Sequence, residues 1–178
     1  MESGEALGTA LATAGLRLIY GGGTRGIMGA VSAAAVAAGG KVTGIIPTFL
    51  LSKEAKDGTP NGLDELHVVD TMHVRKHMMF EKSDAFVALP GGIGTVEEII
   101  EIMTWGQLGQ HRKPMIFANI DGFWEPMRAL IEHMTAEGFI HSVHQVRPIF
   151  VDRVEDIIPA ILAAGDPSEG DVAVIDKM

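Results

Sequence analysis

The chain has 178 residues, 47% of them hydrophobic, and a formal net charge of −9. The hydrophobic content excludes a disordered chain, and the negative charge argues against a nucleic-acid partner, whose phosphates attract cations. The absence of cysteine excludes disulfides and thiol chemistry. No apolar run approaches the roughly 20 residues that span a bilayer, and the acidic start is unlike a signal peptide. We therefore expect a cytoplasmic protein without a membrane partner.

Helical and strand patterns alternate along the chain, starting with a helical pattern over residues 5–14. Strands are predicted at 16–20, 41–46, 65–69, 85–89, 115–118 and 148–151. Helices are predicted at 26–38, 71–82, 95–108, 124–136 and 154–164, and a polar loop at 53–62. This order predicts an α/β fold, a doubly wound Rossmann-like parallel sheet with helices on both faces. We expect a single domain over residues 1–165 and a polar tail over 166–178.

Apolar spacing indicates which helix faces are buried. The face predicted for the helix at 95–108 consists of Val96, Ile99, Ile100 and Met103. The inward residues predicted for the helix at 124–136 are Met127, Leu130, Ile131 and Met134.

The stretch 89–98, LPGGIGTVEE, follows a predicted strand, at the end of the sheet where such folds bind ligands. Gly91, Gly92 and Gly94 would let the backbone approach a phosphate and offer N–H groups to it. Thr95 is expected either to cap the following helix or to bind a phosphate oxygen. The alternative is a tight strand-to-helix turn without a ligand, since one glycine loop is weak evidence.

Two carboxylates follow this glycine turn directly. We expect Glu97 and Glu98 in the first helical turn, about 100° apart, so that one faces the ligand and the other solvent. The helix N-terminus would keep such a carboxylate ionised. Beside a sugar phosphate, it would stabilise a developing oxocarbenium ion or orient water, as carboxylates do in glycosidases. An ordinary first-turn glutamate is the alternative for either residue.

The helix predicted at 71–82 places Arg75 next to Lys76, with Asp70 or Thr71 as its cap. The two cations suit a phosphate or a base edge, and a solvated basic turn is the alternative. His73 and His77 have the i, i+4 spacing of metal ligands, with Glu81 one turn further. The stretch lacks the His-Glu-x-x-His arrangement, so we expect no metal.

A second glycine cluster, GGGTRG at 21–26, resembles a dinucleotide-binding fingerprint only loosely. No ribose-binding acid follows the next strand, which disfavours a dehydrogenase. We therefore expect no cofactor.

Five stretches together resemble the lonely guy (LOG) family of cytokinin-activating enzymes, often labelled lysine decarboxylase-like. The resemblance runs from Tyr20 to about Gly165 and rests on these stretches: YGGGTRGIMGA at 20–30, GIIPTFL at 44–50, MHVRKHMM at 72–79, SDAFVALPGGIGTVEE at 83–98 and TWGQLGQHRKP at 104–114. Its most specific part is PGGxGTxxE combined with the upstream Arg-Lys pair.

The resemblance implies hydrolysis of the N-glycosidic bond of a cytokinin riboside 5′-monophosphate, and several members also cleave AMP. It implies that Arg75 and Glu98 form the catalytic pair. It assigns nucleotide contacts to a further set of residues: Lys76, Gly91, Gly92, Gly94, Thr95 and Glu97, with Glu54 and Thr104 less firmly aligned. It also implies a homodimer. A non-catalytic nucleotide-binding module on the same fold is the alternative function.

Two features depart from that family or its label. Members open with a strand that would be central in the sheet and that this sequence lacks ahead of its first helical pattern, and we expect that the start was assigned late. The decarboxylase label finds no support, because pyridoxal-phosphate chemistry needs a Schiff-base lysine in a recognisable setting.

Overall fold

The computed structural model describes residues 1–54, 61–140 and 147–165. The strands of this part are β1 (Leu18–Tyr20), β2 (Val42–Pro47), β3 (Glu65–Val69), β4 (Phe86–Ala88), β5 (Met115–Ala118) and β6 (Ile149–Val151). The helices are α1 (Glu2–Thr13), α2 (Gly26–Ala37), α3 (Thr48–Glu54), α4 (Met72–Lys82), α5 (Ile93–Gln107), α6 (Glu125–Ala136) and α7 (Ile157–Gly165). Within these residues, no helix combines the length and the apolar character needed to cross a membrane.

The strands form two three-stranded parallel sheets, ordered β1-β2-β3 and β4-β5-β6. The predicted parallel α/β architecture is therefore confirmed. The most buried strands are the middle ones, β2 and β5, in which every residue is buried. This fits the rule that parallel strands covered on both faces are continuously apolar.

A cavity of about 560 Å³ separates the two half-sheets. Residues of β1 and β4 line it, together with Leu7 and Leu11 of α1 and Ile161 of α7. Its lining extends to Gly21 and Leu89, directly beyond the carboxyl ends of β1 and β4. The strand order reverses there, and doubly wound sheets bind ligands beyond the carboxyl ends of their strands at such a point.

One apolar cluster packs against each half-sheet, and a third, which includes Leu7 and Leu11 of α1, contains residues of both. Beside β4 and β5, Phe117 stacks on Phe150 with ring centroids 4.8 Å apart and meets Trp124 edge-on. The Trp124 indole N–H donates to the Ala88 carbonyl at 3.1 Å, which ties α6 to the end of β4. Fully burying each side chain of this size contributes about 1.5–3 kcal/mol.

Three sequence predictions are corrected by the structure. The polar loop expected from residue 53 begins later, because α3 continues to Glu54; its first residue, Thr48, donates from its hydroxyl to the Val69 carbonyl at 3.3 Å. Leu130 is 48% exposed, since the buried face of α6 runs through Ile131 instead. The third correction is the start of α5, which lies at Ile93 and not at the predicted residue 95. The tail expected over 166–178 lies outside the described residues.

Candidate active site

The glycine turn joins β4 to α5 and leaves the start of this helix open. The helix begins at Ile93, and its N-cap residue is Gly92, which is extended and offers no capping side chain. Thr95, expected as a possible cap, is therefore the third residue of the helix. Gly92 and Gly94 are exposed, so the first N–H groups of α5, which have no partner within the helix, can bind an anion.

Gly91 is needed for space. A β-carbon at this position would overlap the Thr95 hydroxyl. The threonine side chain therefore lies directly over the turn, where its hydroxyl is available beside the helix N-terminus.

The two carboxylates after this turn lie further along the helix than predicted. Because α5 begins at Ile93, Glu97 and Glu98 are its fifth and sixth residues, and its first turn contains no acidic residue. The prediction that both lie in the first turn was wrong, and the helix dipole acts on them less than expected, because its effect fades beyond that turn.

Glu97 is one of two carboxylates that hold Lys76. The Lys76 ammonium donates to Glu97 Oε1 at 2.6 Å and lies 3.0 Å from Glu101 Oε2. Its side chain is only 16% exposed, against 51% for Glu97 and 27% for Glu101. The hydrogen bond that Lys76 donates to Glu97, followed by the one it donates to Glu101, raises the pKa of Lys76, and burial opposes the shift. Lys76 is thus a fixed cation between α4 and α5.

Glu98 lines both cavities on this side of the molecule. The smaller one, of about 130 Å³, is also lined by Lys76, Glu101 and Trp105. The cavity between the half-sheets is also lined by Gly21, and Thr95 lines both cavities. The carboxylate predicted to carry the chemistry therefore lies at the reversal of strand order, beside the glycine turn.

Arg75 is the buried residue of α4, with 6% of its surface exposed. The helix is capped by Thr71, whose hydroxyl accepts from the Val74 N–H at 3.2 Å, and this confirms one of the two predicted caps. The guanidinium donates through Nη2 to the Gly21 carbonyl at 3.2 Å and through Nη1 to Met72 Sδ at 3.7 Å. Within the described residues, these hydrogen bonds of Arg75 do not include Glu98.

One predicted contact, Thr104, lies apart from this cluster. The exposed Thr104 hydroxyl donates to the Ile100 carbonyl at 2.8 Å, inside its own helix, and Thr104 is not in the lining of either cavity. Glu54 ends α3, and its side chain lies outside the described residues. Across the described ranges, no three His, Asp or Glu side chains gather as metal ligands, His73 and His77 included.

Sequence reasoning missed two contributors to the site. Glu101 follows Glu97 by one helical turn, and this i, i+4 spacing was a usable signal for a second partner of Lys76. Gly21 was noted only within a loose fingerprint. Its contact with Arg75 joins residues 54 positions apart, and no local pattern reveals it.

The fold and this arrangement define an α/β protein with a candidate site beyond the carboxyl ends of β1 and β4. The model of the family described as "Possible lysine decarboxylase" matches residues 28–161, and the chain belongs to this family. It is 46% identical over 158 residues to the cytokinin riboside 5′-monophosphate phosphoribohydrolase of Rhodococcoides fascians, covering 88% of this chain and 78% of that protein. It is 47% identical over 134 residues to the enzyme of that name, LOG, from Oryza sativa subsp. japonica, covering 75% of this chain and 54% of that protein.

Solved structures extend the likeness of the fold. The molybdenum cofactor binding protein of Rippkaea orientalis superposes with a TM-score of 0.66 at 23% identity, over 91% of this chain and 85% of that one. The molybdenum cofactor carrier protein of Chlamydomonas reinhardtii gives 0.65 at 20% identity, over 92% and 86%. At these identities the likeness concerns the fold alone.

Proposed function

We propose that the protein hydrolyses the N-glycosidic bond of a nucleoside 5′-monophosphate, with an N6-modified adenine as the preferred base. Water adds its oxygen to the sugar C1′ as the C1′–N bond breaks, and its proton passes to the departing base. The products are the free base and ribose 5-phosphate. The observation that carries this proposal is the position of Glu98, which lines the cavities directly after an open, glycine-rich helix start.

The reacting carbon explains why carboxylates accompany a phosphate-binding turn. The N–H groups at the start of α5 and the Thr95 hydroxyl suit the phosphate. The sugar carbon becomes cationic as its bond to the base breaks, and an ionised Glu98 would stabilise that charge or activate the water. Arg75 would support this carboxylate and orient the substrate. Lys76, held by two carboxylates, would supply a positioned cation at the wall of the smaller cavity.

An assay of base release tests the proposal. Purified protein is incubated with isopentenyladenosine monophosphate or AMP, and the free base is quantified. We expect Glu98→Gln to lower turnover by about 10²–10⁴-fold, the usual contribution of an acid–base group. Glu132→Gln, which alters an exposed carboxylate on α6, is the matched control and should retain full turnover.

The same experiment discriminates the alternative of a non-catalytic nucleotide-binding module. That alternative requires nucleotide binding without base release, and an affinity that Glu98→Gln leaves unchanged. Base release that survives Glu98→Gln would contradict the assignment of this residue, and a folded protein that releases no base would contradict the activity itself.

The proposal has three further parts. AMP is a second substrate, tested in the assay above. The protein is a homodimer, which the exposed apolar side chains Ile93 and Leu108 at the two ends of α5 support, being 84% and 67% exposed. Light scattering behind size-exclusion chromatography tests this, and a monomer at micromolar concentration would contradict it. The absence of cysteine supports a cytoplasmic location, which cell fractionation tests.

A further inference from the structure

The guanidinium of Arg75 is buried with few hydrogen-bond partners. Of its nitrogens, Nη2 donates to the Gly21 carbonyl, Nη1 faces a thioether sulfur, and Nε has no partner within the described residues. A buried cation so sparsely satisfied costs free energy, and its orientation depends on the few contacts it makes. The contact with Gly21 is the strongest of them.

The absence of a side chain at Gly21 leaves room for this guanidinium. Gly21 follows the last residue of β1, and its φ lies outside the left-handed region, unlike that of Gly22, which is +73°. A β-carbon on Gly21 would overlap Arg75 Nη2 and lie 2.8 Å from Cζ and 3.3 Å from Nε. A side chain at this position would therefore displace the guanidinium group, whereas the backbone conformation itself would accept one.

Gly21 contacts both Arg75 and the central cavity. It lines that cavity together with Thr95 and Glu98, and its carbonyl accepts from the Arg75 guanidinium. The Gly21 peptide therefore links the cation to the lining of the cavity. Any displacement of this peptide moves the cation relative to Glu98.

We propose that Gly21 is a positioning residue for the hydrolysis. Its missing side chain and its carbonyl oxygen together seat the Arg75 guanidinium at a fixed distance and angle from the cavity that Glu98 lines. This inference rests on the proposed function for its catalytic consequence, whereas the steric coupling between Gly21 and Arg75 stands independently of it.

A double-mutant cycle on the full chain tests the steric coupling between Gly21 and Arg75. Gly21→Ala, Arg75→Met and the double variant are compared with wild type for base release from isopentenyladenosine monophosphate and for the urea midpoint of unfolding. Methionine keeps an unbranched chain but has no Nη atoms for the new methyl group to meet. We expect Gly21→Ala to lower kcat about tenfold or more in the wild-type background, with a smaller effect on KM, because contacting residues couple strongly.

In the Arg75→Met background, Gly21→Ala should change kcat and the unfolding midpoint far less. Gly106→Ala is the matched control: a β-carbon there meets its nearest neighbour, His111 Nε2, at 3.4 Å, so both quantities should remain near wild type. Equal effects of Gly21→Ala in the two backgrounds would overturn the proposal, as would full kcat in the single variant.

Two other outcomes are also decisive. If Gly21→Ala fails to fold in the wild-type background but folds together with Arg75→Met, the steric coupling between Gly21 and Arg75 is supported. If Gly21→Ala fails to fold in both backgrounds, this coupling is rejected. If the folded wild-type protein releases no base, the proposed function fails. The unfolding midpoints of the same four proteins still test the steric coupling between Gly21 and Arg75.

Discussion

Removing Glu101 should destabilise the protein more than removing Glu97, although the Lys76–Glu97 contact is the shorter one. The perturbation is Glu101→Gln compared with Glu97→Gln. Each change neutralises one of the two carboxylates that pair with Lys76, and the two changes are equal in size. Lys76 Nζ lies 3.0 Å from Glu101 and 2.6 Å from Glu97. Distance alone would rank Glu97 first, so solvent exposure decides the prediction.

The magnitude follows from burial. At 3.0 Å and an effective dielectric constant of about 20, the gross attraction is about 5.5 kcal/mol, most of which desolvation and side-chain ordering offset. Glu101 is 27% exposed, so a net contribution of roughly 1–2 kcal/mol is expected for its charge-assisted hydrogen bond. Glu97 is 51% exposed, and such pairs contribute about 0.2–1 kcal/mol.

Urea unfolding of the two variants and wild type is followed by circular dichroism at neutral pH. It measures how much unfolding free energy each variant loses relative to wild type. Glutamine keeps the shape and one hydrogen-bond acceptor, so the difference reports the lost charge. A loss for Glu97→Gln equal to or greater than that for Glu101→Gln would refute the reasoning from exposure. Added salt supplies a second check, because it should diminish the effect of Glu97 more than that of Glu101.

The raised pKa of Lys76 fixes the pH range of this stabilisation. A lysine whose folded pKa exceeds its unfolded value contributes fully below the ordinary value of 10.5, and the contribution is lost as pH rises through the folded pKa. Wild type should therefore lose stability above about pH 10.5 more steeply than the Glu101→Gln variant, in which less remains to be lost. Parallel stability profiles would show that Glu101 does not contribute to the shift.

Two further predictions concern the end of β4 and the turn that joins it to α5. Gly91→Ala should lower base release, and it should lower the free energy of unfolding by about 1–3 kcal/mol, because the new methyl group overlaps the Thr95 hydroxyl. Gly92→Ala places its methyl group in open space and should cost less stability, and equal losses would contradict this steric account. Trp124→Phe should cost about 1–3 kcal/mol in urea unfolding, since it leaves the buried Ala88 carbonyl without its indole donor.

Local patterns predicted the elements well where periodicity was strong. The face of α5 is an example: Ile99 and Met103 are buried, with Val96 and Ile100 packed against the same core, as their spacing indicated. The start of α5 was misplaced because Thr95 has the chemistry of a cap. The observed cap is Gly92, and a glycine at that position is indistinguishable in sequence from the loop glycines around it.

Contacts between distant segments explain what sequence reasoning could not reach. Arg75 and Lys76 were predicted at the site as adjacent cations and through the family resemblance, yet the two side chains have opposite settings, one buried against the end of β1 and the other held by α5. Adjacent helical residues point about 100° apart, so neighbouring cations serve different partners. Which partner each one meets depends on how α4 packs, and that is a tertiary property.

The packing of α4 determines where its two cations, Arg75 and Lys76, lie in the site. One of its cations reaches the end of β1 and the other reaches α5, so a single helix contacts elements of both half-sheets. Glu98 lies in the cavity between those halves, where a shift of one half relative to the other would change its distance from Arg75. Catalytic geometry is sensitive to displacements of about 1 Å. The two anchors of α4, Gly21 at one side and the carboxylate pair at the other, therefore set the distance on which the proposed hydrolysis depends.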